Sequence, residues 1–412
     1  MSLVTLDPAP ATREHAPAPE HGPSPGWAAR CRRRGAGLLD RGDREALWLY
    51  LLTRISLWGT AYCTRLLFPD RPGARQPAPL LTAFERWDWH HYLHIARDGY
   101  FPGPAGSGTT YGDNREAFFP GFPMLLRAVH TLVPHWTAAG LLISLAAGAV
   151  AVVALGRTAR WYTAHAEAGR RAVLFFLVSP CAVFLAVGYT EALFLALALP
   201  AWLAALRHHW ALAALLTALA TTVRVSGLFL AAALAVHLVI ATRGAGRLRA
   251  LPWLALPAVP LVSYAGYLAA HTGDWTAWQH AQERGWYRSF HLPWDAWSAT
   301  WEAAFGDRHP TGYALMFQAE LLAMVVGIVL LCVLARRRLW PEAVYLALTL
   351  AALGTSYWYM SLPRSTLLWW PLWIGLGALS LRRPRAKAVY LCLAGPLTTI
   401  LAVTFLSGRW AG

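Results

Sequence analysis

Long apolar runs separated by short basic segments dominate the chain. Residues 138–155, 228–241, 314–335 and 388–406 approach the roughly 20 apolar residues that carry a helix across a bilayer. With the arginine clusters as punctuation, the pattern predicts about eleven spans. They are 45–68, 138–156, 172–187, one ending before Arg207, 210–223, one ending before Arg243, 252–270, one ending before Arg336, one reaching Tyr359, one ending before Arg382, and a last one over 388–406. The expected fold is therefore an all-α polytopic membrane protein. Segment 118–133 is apolar enough to compete for a span, but Pro120, Pro123, Arg127 and His130 interrupt it. It is expected to lie on the membrane surface as a juxtamembrane helix.

Outside the apolar runs, three stretches differ in character. Residues 1–44 are rich in Pro, Ala, Gly and Arg and lack the apolar core of a cleavable leader, so a disordered cytosolic tail is expected. The transmembrane domain then covers 45–412, its first span acting as an uncleaved signal anchor. Within it, segments 69–137 and 271–312 form two long outer loops that hold many of the Trp, His, Asp and Glu residues, which is more than an interfacial aromatic belt requires.

Composition and charge sharpen this picture. Of 412 residues, 57% are hydrophobic and 14% charged, against about 25% charged in a soluble domain. The net charge of +15 sits in short runs between spans, such as Arg157/Arg160, Arg170-Arg171, Arg336-Arg337-Arg338 and Arg382-Arg383. Those runs read as cytosolic anchors beside anionic lipid, and no basic face with interleaved aromatics suggests nucleic acid. The expectation is a multi-pass cell-membrane protein with a cytosolic N-terminus and an extracytoplasmic site. Cys31, Cys63, Cys181, Cys332 and Cys392 are odd in number and widely spaced, so no disulfide framework or metal motif follows.

The first outer loop carries Trp87-Asp88-Trp89-His90-His91-Tyr92, then Ile95-Ala96-Arg97-Asp98-Gly99-Tyr100, then Phe118-Phe119-Pro120-Gly121-Phe122-Pro123. Further on come Ser179-Pro180-Cys181-Ala182-Val183-Phe184 with Tyr189-Thr190-Glu191-Ala192-Leu193-Phe194, the turn Arg224-Val225-Ser226-Gly227, and Gly273-Asp274-Trp275-Thr276-Ala277-Trp278-Gln279-His280-Ala281-Gln282 with Trp286. This ordered series resembles the family of the second GPI mannosyltransferase (PIG-V) and its bacterial relatives, over most of residues 45–381. It departs from the family pattern at Gly121 and at Arg364-Ser365-Thr366-Leu367-Leu368-Trp369-Trp370-Pro371, where a tyrosine is missing. The resemblance implies a GT-C-type fold and a glycosyltransferase that takes a hexose, by resemblance mannose, from a polyprenyl-phosphate donor. A bias to Ala, Arg, Gly and Leu points to a bacterial chain, for which a GPI acceptor is not expected.

The chemistry stands without the family. Sugar transfer from a lipid phosphate needs a base for the acceptor hydroxyl and cations for the departing phosphate; a phosphate leaves well enough to need no general acid. One carboxylate and one or two cations suffice for inversion at the anomeric carbon. Asp88 is the candidate base, and the resemblance places a catalytic acid in this loop; the alternative is a helix N-cap. Glu116 is either an acceptor-binding group or a solvated charge beside Arg115. Glu191, at the end of a span, faces a cavity or pairs with an arginine such as Arg224. Arg224 and Arg364 hold either a donor phosphate or an acid. With Trp87, Trp89, His91, Tyr92, Tyr189, Gln279 and Gln282, these are the expected substrate contacts. His90 and His94 share a helix face, but there is no HExxH and no third ligand, so a divalent metal is unsupported and no cofactor is assigned. The expected acceptor is a glycolipid, glycan or protein hydroxyl. The rival readings are a transporter or flippase of lipid-linked sugars, which should show repeats and mid-bilayer charges, and a non-enzymatic membrane scaffold.

Overall fold

A computed structural model describes residues 39–69, 78–102, 114–242 and 249–411. The tail expected over residues 1–44 lies outside the described residues up to 38, while 41–44 already belong to the first helix. Arg32-Arg33-Arg34, Arg243, Arg247 and Cys31 also fall outside them.

Every described regular element is helical. In chain order the α-helices are α1 (Arg41–Leu67), α2 (Asp88–Asp98), α3 (Gly121–His130), α4 (Trp136–Thr163), α5 (Ala166–Leu177), α6 (Thr190–Leu206), α7 (Trp210–Val223), α8 (Ser226–Ala241), α9 (Ala258–Thr272), α10 (Ala277–Trp286), α11 (Pro293–Phe305), α12 (Thr311–Arg336), α13 (Trp340–Gly354), α14 (Leu362–Ser365), α15 (Trp370–Arg382) and α16 (Pro384–Leu406). Helices Trp136–Thr163, Leu251–Thr272 (a 3-10 turn continued by α9), Thr311–Arg336 and Pro384–Leu406 are long and apolar enough to cross a membrane. Thr190–Leu206, Trp210–Val223, Ser226–Ala241 and Trp340–Gly354 are apolar but shorter. The chain is thus a polytopic membrane protein.

Each apolar run of the sequence falls on a helix, with two informative details. The run 172–187 is not one helix. Helix α5 stops at Leu177, a turn follows at Ser179-Pro180, and a 3-10 turn covers Ala182–Leu185. Pro180 cannot donate to the helical ladder, and the Thr398 hydroxyl lies within hydrogen-bond distance of the Val178 and Ser179 carbonyls, at 2.8 and 3.1 Å. The segment 118–133 holds only α3, whose 10 residues reach about 15 Å, half the bilayer core.

Contacts define the two ends of the bundle. At one end Asp43, buried at the start of α1, accepts from Arg157 and Arg160 of α4. Arg171 of α5 donates to the Ser380 carbonyl of α15, and Tyr162 meets Glu342. Most of the described arginine runs lie here. At the other end the loops after α1, α9 and α13 converge. The short helices α6, α7, α8 and α13 all have termini at this end: Thr190, Val223, Ser226 and Leu353 line a common cavity. That cavity occupies the space into which longer helices would have extended.

Candidate active site

The site is a cavity of about 940 Å³ at the loop end of the bundle. Its geometry begins with Asp88 at the first turn of α2. The residue before it, Trp87, has φ 51°, a left-handed conformation costly for a bulky side chain. Tyr189 holds that turn in place. Its hydroxyl donates to the Arg86 carbonyl at 2.8 Å and accepts from the Asp88 amide at 3.1 Å, bridging both sides of Trp87. The Trp87 indole donates to the Arg409 carbonyl at 3.2 Å, so the C-terminal segment props the same turn.

Trp89 anchors α2 from behind. Its ring lies between Gly140 of α4 and Gly188; a Cβ on either glycine would come within 2.5 Å of it. Only residues without a side chain leave that slot open, and with Trp89 seated in it Asp88 lines the cavity.

Asp88 does not act as an isolated carboxylate. Its Oδ2 accepts from Arg364 Nη1 at 2.6 Å, while Oδ1 has no hydrogen-bond partner among the described residues. Arg364 also donates through Nε to Glu191 Oε1, and the same oxygen accepts from Arg224 Nη1 at 2.7 Å. Glu191 is fully buried and Asp88 is 18% exposed. The Arg364 guanidinium lies over the rings of Tyr189 and Phe184, at 4.7 and 4.9 Å. Burial alone would raise the Asp88 pKa. The Arg364 charge outweighs burial, His91 and Arg224 add to it, and the carboxyl is held below its ordinary range.

Arg364 is positioned by a group the sequence reading did not name. Glu320 of α12, fully buried, accepts from the amides of Ser361 and Leu362 at 2.7 and 2.8 Å. Those amides open the short helix that carries Arg364, and Ser361 sits at φ 70°. A carboxyl at a helix start supplies hydrogen-bond acceptors for its unpaired amides.

Arg288 is the second group missed. It follows α10, lines the cavity, and makes no side-chain hydrogen bond or ion pair among the described residues. Burial, with repulsion from Arg224 and Arg364, pushes it down to about 10, so it remains a cation at neutral pH. Asp88 and Glu191 balance two of the three guanidinium groups, leaving an excess of one positive charge.

The remaining sequence-selected residues divide by placement. Trp87, His91, Tyr92, Tyr189, Arg224, Gln279, Gln282 and Arg364 line the cavity. Trp89 does not, because neighbouring helical positions point about 100° apart and its ring is packed in the core. Glu116 is buried and is not part of the lining. Its segment serves through the backbone: Tyr264 donates to the carbonyls of Glu116 and Phe118 at 2.8 and 2.9 Å, and Gln282 and Trp278 donate to that of Ala117. Those bonds tie residues 116–118 to α9 and α10. Glu191 is the hub of the arginine pair, behind the cavity wall. Among the described residues no cluster of His, Cys, Asp and Glu is arranged to hold a metal ion.

A carboxylate with a free oxygen, aromatic walls and an unneutralised guanidinium suit a polyol and an anion together. The family model described as mannosyltransferase (PIG-V) matches residues 74–243, which supply Asp88, Tyr189, Glu191 and Arg224. The GPI alpha-1,6-mannosyltransferase 2 of Mus musculus is 33% identical over 218 residues, covering 47% of this chain and 42% of that protein. The protein of the same name from Homo sapiens is 35% identical over 161 residues, covering 36% of this chain and 30% of that one. The matched region spans less than half the length of these curated relatives. Arg288, Glu320 and Arg364 lie beyond the matched residues and join them only in space. Residues 74–243 are thus similar to the mannosyltransferase (PIG-V) family.

Proposed function

We propose that the chain is a membrane mannosyltransferase that uses a polyprenyl-phosphate-linked hexose as donor and acts on the extracytoplasmic side. The carrying observation is the pairing, in one cavity, of a carboxylate fixed on one oxygen by Arg364 with the uncommitted Arg288.

In this reading the acceptor hydroxyl donates to Asp88 Oδ1 and attacks the anomeric carbon from the face opposite the phosphate. The new C–O bond forms as the bond to the phosphate oxygen breaks. The proton goes to Asp88, the electron pair leaves with the lipid phosphate, and the configuration inverts. The donor carries one negative charge and the leaving phosphate gains a second. Arg288 therefore binds the transition state more strongly than the ground state, which is the requirement for catalysis. Arg224 and Arg364 are already paired with acids; they set the field and orient Asp88. The aromatic lining, with Trp87, His91 stacked on Phe118 at 4.7 Å and Trp286 beside it, suits the apolar faces of sugar rings.

Sidedness rests on the arginine runs gathered at the opposite end of the bundle, the end expected to face the cytosol. The acceptor class is a hydroxyl of a glycolipid, glycan or protein. Purified protein in liposomes, supplied with labelled polyprenyl-phosphate mannose and a membrane acceptor extract, tests the reading. Label should move to the acceptor with free polyprenyl phosphate released in equal amount. Passage of intact donor between leaflets without release would instead show a flippase.

A further inference from the structure

Away from the catalytic cavity, α1 carries a buried cation that no group among the described residues neutralises. Arg54 lies near the middle of α1 and is 7% exposed. Its Nε and Nη1 have no hydrogen-bond partner among the described residues. Its remaining described contacts are Nη2 to the Thr53 hydroxyl at 3.4 Å and the Tyr50 ring at 4.9 Å. Among the described residues no carboxylate pairs with it. A guanidinium inside a membrane domain without an anion is strongly unfavourable, and such a group is retained where it meets a partner.

A recess of about 240 Å³ adjoins this side chain. Phe84 and Ala186 contribute to its apolar lining, and Trp58, Leu142 and Leu145 stand at its mouth. Those three are 41%, 47% and 40% exposed on the outside of the bundle, so the recess opens toward the bilayer. From there Leu51, Ile55, Trp58 and Tyr62 form one exposed apolar stripe along α1. The wall behind Arg54 is rigid: Tyr50 donates to the Ser144 and Leu145 carbonyls of α4 at 3.2 and 3.0 Å.

We propose that this recess is an anionic-lipid site, in which the two free edges of Arg54 bind the phosphate of a lipid with one net negative charge. The lipid chain lies along the α1 stripe. A planar fork of donors matches phosphate oxygens bidentately, and the lateral opening admits a ligand from the bilayer. The site does not depend on the catalytic reading, since none of its residues lines the larger cavity.

Thermal unfolding of the purified full chain in neutral detergent tests this. Phosphatidylglycerol added to the micelles should raise Tm by a few degrees, as binding to the folded state must, whereas phosphatidylcholine and inorganic phosphate should not. The rise should vanish in Arg54→Gln. It should also vanish in Leu142→Trp, which fills the mouth while leaving the charge, and which keeps the test decisive if Arg54→Gln fails to fold. Native mass spectrometry should show one retained phosphatidylglycerol on the wild type and none on Leu142→Trp. An equal rise in wild type and Leu142→Trp, or an equal response to inorganic phosphate, would overturn the proposal.

Discussion

At the scale of single residues, the cavity holds the carboxylate proposed as the base, an unpaired guanidinium among the described residues, and two arginines already paired with acids. Because Arg364 holds Asp88 below the ordinary aspartate value of about 3.9, the base stays ionised at neutral pH. Its depressed pKa adds stability above the unfolded value and loses it as pH falls through the folded one. The acid limb of the rate profile should therefore lie below the ordinary carboxylate range. Lysine cannot bridge Asp88 and Glu191 as a guanidinium fork does. In Arg364→Lys the limb should move upward and the rate fall by at least 10-fold on the scale of general-base effects; a pH–rate series on membranes reads both. Arg288→Gln should lower turnover by about 10²-fold, the loss expected when one preorganised electrostatic donor is removed. If Arg288 holds the developing charge, kcat falls more than KM rises; a change confined to KM would assign it to ground-state binding only.

Some of these residues were legible in the sequence and some were not. Asp88 announced itself by its position between two tryptophans in a long outer loop. The same pattern misled for Trp89, because residues on either side of a helical position do not face the same way. Arg288 gave no signal, being one of the chain's 36 lysines and arginines and lying in a loop instead of an apolar run. Glu320 and Arg54 did carry a usable signal: each is a lone charge inside an apolar run, where ionisable groups are costly and are kept for a partner.

At the scale of elements, two strained turns set the reacting groups, Trp87 before Asp88 and Ser361 before Arg364. Each is braced by one side chain from another helix, Tyr189 and Glu320. Tyr189→Phe removes the hydroxyl that bonds both sides of Trp87. It should cost about 1–3 kcal/mol through the stranded Asp88 amide, and lower activity with little change in the pH limb. Glu320→Gln retains only one of the two acceptors at the start of α14; thermal unfolding and the Arg364-dependent pH limb should both shift. Gly188→Ala would drive a methyl into the Trp89 ring. Overpacking of this kind costs typically 1–3 kcal/mol, and here it should displace α2 and with it Asp88. A folded Gly188→Ala protein with full activity would show that α2 does not need Trp89 as its anchor.

At the scale of the whole molecule, apolar runs were enough to place the helices, because an apolar segment of that length has few other stable states. Their lengths were not enough to reveal the cavity, which arises where α6, α7, α8 and α13 end short of the loop surface. The convergence of Asp88, Glu191, Arg224, Arg288 and Arg364 spans more than 270 positions of sequence and follows from helix packing alone. The proposed orientation makes a prediction: a cysteine replacing the exposed Phe290 should react with an impermeant thiol reagent added outside intact cells, while one replacing Arg337 should not. The reverse pattern would place the cavity on the cytosolic face and remove the proposed donor geometry.

The claim that Asp88 deprotonates the acceptor is tested most directly by single-turnover transfer from polyprenyl-phosphate mannose in folded, purified Asp88→Asn protein. Asparagine keeps the shape and the Trp87 turn but cannot take the proton. Donor binding should stay within a few-fold of wild type while transfer falls by about 10²–10⁴-fold, the span of general-base catalysis. Transfer at the wild-type rate would contradict the account.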